Sequence, residues 1–177
     1  MAALTTTANL RAWLGLTTVS PEVEAQLNRV VEAVSAAVRS YLNRDVLATE
    51  RTETYDGTGS DLLVLRQAPV LSVARVQLNG QDVPPSSFRI TQTALVRTAG
   101  TWRHGWGNLV ITYTAGYATV PFDLEQAVLE LAALRWKERD RIGLVSKGFG
   151  QETTTFLRDM PSHVRDTLNN YRRVVPC

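Results

Sequence analysis

The sequence predicts an α+β protein: a helical bundle with a small antiparallel β-sheet inserted into it. Three observations predict it. Apolar residues recur every three or four positions across 21–42, the signature of an amphipathic helix. From Val46 to about 114 the period changes to alternation, with Asn79-Gly80, a strong hairpin signal, in its middle. Over 120–141 the pattern is helical again, and apolar residues cover most of the circumference. The organisation expected is one domain over 1–177: N-terminal helices in 1–46, the sheet insert in 47–114, a long central helix in 120–141, and a flexible arm with a C-terminal helix in 142–177.

Each element has a local reason. Thr5-Thr6-Thr7 offers caps for a short helix with Leu10, Trp13 and Leu14 on one side, and Gly15 closes it. Ser20 suits the N-cap of the second helix and Pro21 its first turn. Val23, Leu27, Val30, Val34, Val38 and Tyr41 form its apolar stripe, and Asn43 marks its end. Thr49–Tyr55 reads as a strand, and Asp56–Ser60 as a turn with two glycines. Leu62–Leu65 is a short apolar strand, and another starts at Pro69. Phe88–Ile90 and Leu95–Arg97 are short strands. Gly100–Gly107 is a loop with two tryptophans, followed by a β-branched strand to Ala115.

Pro121 suits the first turn of the central helix. Asp123 and Glu125 sit near its positive end, and Lys137, Arg139 and Arg141 near its negative end. Its polar residues Asp123, Gln126, Glu130 and Lys137 occupy one narrow stripe, so several sides need cover, from the same chain or from another subunit. The stretch 142–155 has two glycines, no clear period, and reads as extended or flexible. Pro161 opens a last helix with Val164, Leu168 and Tyr171 on one face.

Composition narrows the class. With 44% hydrophobic and 20% charged residues the chain is ordinary for a globular protein, and 177 residues can enclose a well-formed core. A net charge of +2 predicts neither strong nucleic-acid binding nor a membrane surface. No apolar run is long enough for a membrane helix, and the N-terminus has no signal-peptide pattern. The single cysteine, Cys177, cannot form an internal disulfide.

Catalytic patterns are not apparent. His104 and His163 are far apart, so no zinc site and no other cofactor is expected. Lys147–Gly150 contains GxG without the strand and third glycine of a phosphate loop. Asp56 and Asp61 flank a turn without the oxygen-ligand density of a calcium loop. Trp102, His104 and Trp106 could stack on a sugar or base, or pack over the open end of the sheet. Arg135, Lys137, Arg139 and Arg141 could meet phosphate, or form a solvated helix end. Together with Arg165, Arg172 and Arg173 they carry the alternative reading, a small nucleic-acid-binding module.

In order along the chain come an amphipathic helix ending in YLNRDV (Tyr41–Val46), the YDGTGS turn (Tyr55–Ser60), APVLSV (Ala68–Val73) and the Asn79-Gly80 hairpin. VITYTAGYATVPFDLEQAVLELAALRW (Val110–Trp136) and MPSHVRDTLNNYRR (Met160–Arg173) follow. In this order and in the YTAGY–VP–helix block the chain resembles the head–tail connector (adaptor) proteins of tailed bacteriophages and prophages. The resemblance implies a non-enzymatic structural virion protein of the neck, assembled in the host cytoplasm. It would form a ring, a dodecamer, beneath the portal protein, and contact a head-closure (stopper) or tail-completion protein. DNA would pass through its channel without specific binding, and no membrane is involved. Phe149, Phe156, Leu157, Tyr171, Arg172 and Arg173 are the expected contacts to the portal or a neighbouring subunit. Val23, Leu27, Val34, Leu129, Ala133 and Trp136 are the expected ring interface. The sheet insert is large beside all-helical connectors.

Overall fold

The structure, a computed structural model, describes residues 3–139, 146–149, 152–155 and 160–173. The chain is α+β and divides into two compact units, one of Met1–Arg44 with Val120–Cys177, the other of Asp45–Thr119.

The first unit holds helices α1 (Thr7–Leu14), α2 (Pro21–Leu42), α3 (Phe122–Glu138) and α4 (Ser162–Asn169). Side-chain caps start the first two. Thr6 Oγ1 accepts the Asn9 N–H at 3.1 Å, and Ser20 Oγ the Val23 N–H at 3.4 Å, each satisfying a donor that the first turn leaves unpaired. Gly15 and Asn43 end them in the left-handed conformation. Pro121 and Pro161 sit one residue earlier than expected: each is the cap residue, in extended backbone, just before its helix.

The expected long central helix is not the longest. α3 has 17 residues and α2 has 22. What sets α3 apart is its surroundings: it packs against α1, α2 and α4. Leu124, Ala127, Val128, Leu129, Ala132, Ala133 and Trp136 are buried along it. Its wide apolar circumference therefore has three partners from its own unit, and its small alanines permit close approach of the neighbouring helices.

Beyond α3, strands β8 (Ser146–Phe149) and β9 (Glu152–Thr155) pair antiparallel, with Ser146 opposite Thr155 and Phe149 opposite Glu152. The Gly- and Thr-rich stretch thus contains a two-stranded ribbon where the sequence shows no period.

The second unit carries two antiparallel sheets where one was expected. β1 (Thr49–Gly57), β7 (Gly105–Ala115), β3 (Val70–Leu78) and β4 (Gln81–Asp82) form one in that spatial order. β2 (Leu62–Val64), β6 (Ala94–Arg97) and β5 (Phe88–Ile90) form the other. The long strand β7 takes β1 on one side and β3 on the other, so both of its edges are paired and β2, β6 and β5 form a sheet of their own. Tyr55, Leu63, Leu65, Val76, Phe88, Leu95, Trp102, Leu109, Ile111 and Tyr113 belong to one buried cluster of this unit. Leu109, Ile111 and Tyr113 confirm the alternation read on β7. On β3 the alternation breaks at register shifts between Val70 and Ser72 and between Val73 and Arg75, so Leu71 and Ala74 are exposed.

Just after β7 the backbone of Gly116 runs against Leu47. A Cβ there would lie 2.6 Å from the Leu47 carbonyl, and the residue has φ +126. Only glycine fits, and the approach lets Tyr117 N–H donate to Val46 O and Ala48 N–H to Tyr117 O, both at 2.8 Å.

Candidate functional site

Nothing among the described residues gathers three or more His, Cys, Asp or Glu side chains into a metal-sized group. The conspicuous features are instead a folded-back C-terminal segment, a buried phenol pair and an aromatic presented to solvent.

In the helical unit the last described residues return to the helices. Tyr171 Oη donates to both carboxylate oxygens of Asp123, at 2.6 and 2.8 Å. The Arg172 guanidinium lies 5.1 Å from the centre of the Tyr41 ring, and Tyr41 Oη donates to Asn169 Oδ1 at 2.7 Å. The Arg173 N–H donates to Leu42 O at 2.9 Å, satisfying a carbonyl that the end of α2 would leave open. His163 Nε2 lies 2.8 Å from Glu130 Oε2. Gln126, then His163, hold the Glu130 carboxyl below the usual carboxylate range. Tyr171, Arg172 and Arg173, predicted as contacts to other subunits, thus come together and are engaged within their own unit. Of the other three, Phe149 ends β8, and Phe156 and Leu157 lie outside the described residues.

The six residues expected at a ring interface lie on α2 and α3. Leu27, Val34, Leu129, Ala133 and Trp136 are buried within the chain, and Val23 is half-buried. The Arg139 guanidinium sits 4.0 Å from the centre of the Trp136 ring and donates to Trp136 O at 2.7 Å. It covers the tryptophan at the end of α3. Arg141, named with the basic helix end, lies outside the described residues. By contrast, Phe122, the first residue of α3, is 90% exposed.

In the sheet-rich unit Tyr55 and Tyr113 face each other from β1 and β7, their hydroxyls 3.1 Å apart. Both donate to Glu53 Oε2, and Tyr55 Oη accepts the Arg66 N–H at 2.9 Å. The Arg66 guanidinium covers the Tyr55 ring at 4.5 Å. Burial pushes both phenols up from the usual tyrosine range, Tyr55 the more. This pair ties β1 to β7, and no spacing rule in the sequence announces it.

The loop read as aromatic divides its tryptophans. Trp102 is fully buried, its Nε1–H donating to Leu95 O at 3.3 Å, with Phe88 and Arg97 against its ring. Trp106 is 87% exposed. It stands between Gly105 and Gly107 at the start of β7. Asp56 accepts the Gly107 N–H, which answers the question of that carboxylate's role in the turn. Asn108 Oδ1 accepts the Gly57 N–H at 2.8 Å while its Nδ2–H donates to Arg103 O at 2.9 Å.

What these units offer is surface: an α+β body with covered helices and exposed aromatics, the equipment of a protein that works by docking. The chain belongs to the head completion protein family, whose sequence model matches residues 3–174. It is therefore a structural protein of the tailed-phage type of virion, of the class that connects head to tail. No curated protein matches it significantly. Its fold is similar to that of a chain in the neck of an empty GTA particle computed with C6 symmetry (21% identity, TM-score 0.65, covering 100% of this chain and 95% of that one). A chain in the virion of the native gene transfer agent (GTA) particle is similar at 22% identity and TM-score 0.64, with the same coverage. The neck of the native GTA particle computed with C12 symmetry contains another, at 20% identity and TM-score 0.57, again with the same coverage.

Proposed function

We propose that this protein is a ring-forming adaptor of the neck, seated beneath the portal and handing the DNA-filled head on to a head-closure (stopper) or tail-completion protein. The observation that carries this reading is the family match across residues 3–174, joined to a fold shared over the whole chain with proteins of particle necks. The similar chains occur in particles computed with C6 and C12 symmetry, which favours a ring of twelve. The helical unit is the bundle-like body of the ring. A closed ring needs a head-to-tail contact between unlike surfaces, with no chemistry beyond docking, so the protein acts without catalysis or cofactor. DNA passes through the channel and is not bound specifically.

In this reading Val23, Leu27, Val34, Leu129, Ala133 and Trp136 serve the ring from beneath, by holding α2 and α3 in the shape that a neighbour meets. The arm 142–157, with Phe149, Phe156 and Leu157, reaches the portal or the adjacent subunit, and Tyr171, Arg172 and Arg173 anchor the base from which it and the C-terminus depart.

Light scattering on the protein alone and mixed with the portal protein tests the reading. The expected result is a small species alone and one large stoichiometric complex with the portal, whose mass gives the ring order. A monomer that ignores the portal would overturn it. Deleting Gly143–Thr155 should abolish the portal complex while leaving the fold; an unchanged complex would remove the arm from the proposal.

A further inference from the structure

We infer that residues 160–173 form a detachable strap, which lies along the polar stripe of α3 and opens as one unit while α1, α2 and α3 stay folded. Closed, it keeps Tyr171, Arg172 and Arg173 engaged within the helical unit; open, it presents them to a partner. The device belongs to the chain alone and does not depend on the ring reading.

The seat of the strap is the face of α3 whose residue types suit water: Asp123, Gln126 and Glu130. His163, in the first turn of α4, meets Glu130 at 2.8 Å. Tyr171, just past the end of α4, meets Asp123 at 2.6 and 2.8 Å. The earlier strap residue meets the later α3 residue, so the two segments run antiparallel. The step from Asp123 to Glu130 rises about 10.5 Å along a helix and that from His163 to Tyr171 about 12 Å, so both ends are fastened in matching register. Between them Val164 and Leu168, four residues apart on one face, are the buried residues of α4. The end of α2 holds the same segment: Tyr41 Oη donates to Asn169, Arg172 covers the Tyr41 ring, and the Arg173 N–H donates to Leu42 O.

This hold is built to be reversible. α4 has eight residues, below the length at which a helix persists by itself, and no side chain caps its start. Folding and docking of the strap are therefore one event. Its grip is two apolar side chains plus contacts at exposed positions, where water can replace each partner. The bare stripe of α3 tolerates water as well, since Gln126 Nε2–H keeps its bond to Glu130 Oε1 at 3.0 Å. By contrast, Leu10, Leu27, Val31, Val38, Leu124 and Val128 are almost wholly buried on the other three helices. A segment with so few buried apolar side chains opens well before the rest of its unit.

Native-state hydrogen exchange on the full-length protein tests this. The hydrogen-bonded amides of Arg165, Tyr171, Arg172 and Arg173 should exchange through a common opening, and be at least about tenfold less protected than amides 31–38 of α2 and 128–132 of α3. Tyr171→Phe removes a contact at the C-terminal end only, yet should speed exchange at Arg165 by the same few-fold factor as at Arg172. Leu168→Ala should speed all four about tenfold or more. Neither variant should change α2 or α3. Strap amides as well protected as those of α2 and α3 would overturn the inference. So would a Tyr171→Phe effect confined to 171–173, which is fraying of an end, or a Leu168→Ala effect that lowers protection in α2 and α3 alike.

Discussion

A phenol buried beside a carboxylate holds its proton, and this has a consequence for stability. Burial raises the pKa of both Tyr55 and Tyr113, Glu53 accepting a hydrogen bond from each neutral hydroxyl. A raised pKa means that the folded state keeps protons the unfolded chain releases. The stabilisation is complete below the unfolded tyrosine value of about 10 and is lost as pH rises above it. Thermal melts should hold steady to about pH 10 and then fall, and the fall should shrink in the Tyr55→Phe/Tyr113→Phe double variant. An unchanged alkaline slope in that variant would contradict the assignment. At the same scale, Gly57→Ala places a methyl into Arg103 O. Chemical denaturation should show a loss of roughly 2–4 kcal/mol, typical of forced backbone displacement; a loss below about 0.5 kcal/mol would mean that the loop yields freely.

Among the elements, α3 shows most directly that apolar content does not reveal its partner. Leucines and alanines cover most of its circumference, a pattern open to cover by the same chain or by another subunit. α1, α2 and α4 supply that cover. Leu124 and Phe122, two residues apart on the first turn, therefore differ sharply. Leu124 is fully buried, so Leu124→Ala should cost about 2–5 kcal/mol through lost burial and a residual cavity. Phe122 faces water, and Phe122→Ala should alter stability by no more than about 0.5 kcal/mol. Urea titrations of both variants check the pair, and similar losses at the two sites would refute the packing described for α3. The ribbon β8–β9 and the split into two sheets belong to this scale too. Three-residue strands such as β2 and β5 carry too few side chains to declare which sheet they join.

For the molecule as a whole, the charge of +2 bears on the nucleic-acid alternative. Two cations of that reading already have work in the fold: Arg139 covers Trp136, and Arg172 covers Tyr41. An adaptor that only lines a passage should show little binding to duplex DNA at about 0.15 M salt, with retention appearing as salt is lowered. Gel-shift titration across salt concentrations measures this. Tight binding with a steep salt slope at that ionic strength would favour the nucleic-acid module instead. Of the candidate surfaces, the clustering of Tyr171, Arg172 and Arg173 just past the end of α4 at Asn169 was legible, whereas the contacts that hold them within their own unit were not. The exposure of Trp106 was not, since Trp102 four residues earlier is chemically identical and lies in the core.

By itself the sequence determined the kind of each main element and many of its ends. Periods of 3.6 and 2, Ser20 and Thr6 as caps, and the Asn79-Gly80 turn act over a few residues, where local sterics and hydrogen bonding dominate. The order of the motifs along the chain also carried the family. Only the tertiary structure decided which apolar faces are covered, that the strands divide into two sheets, and which tryptophan reaches solvent. Those outcomes depend on contacts such as Tyr55 with Tyr113, which lie 58 residues apart. Burial is a property of the partner as much as of the residue, and no local pattern names a partner that distant.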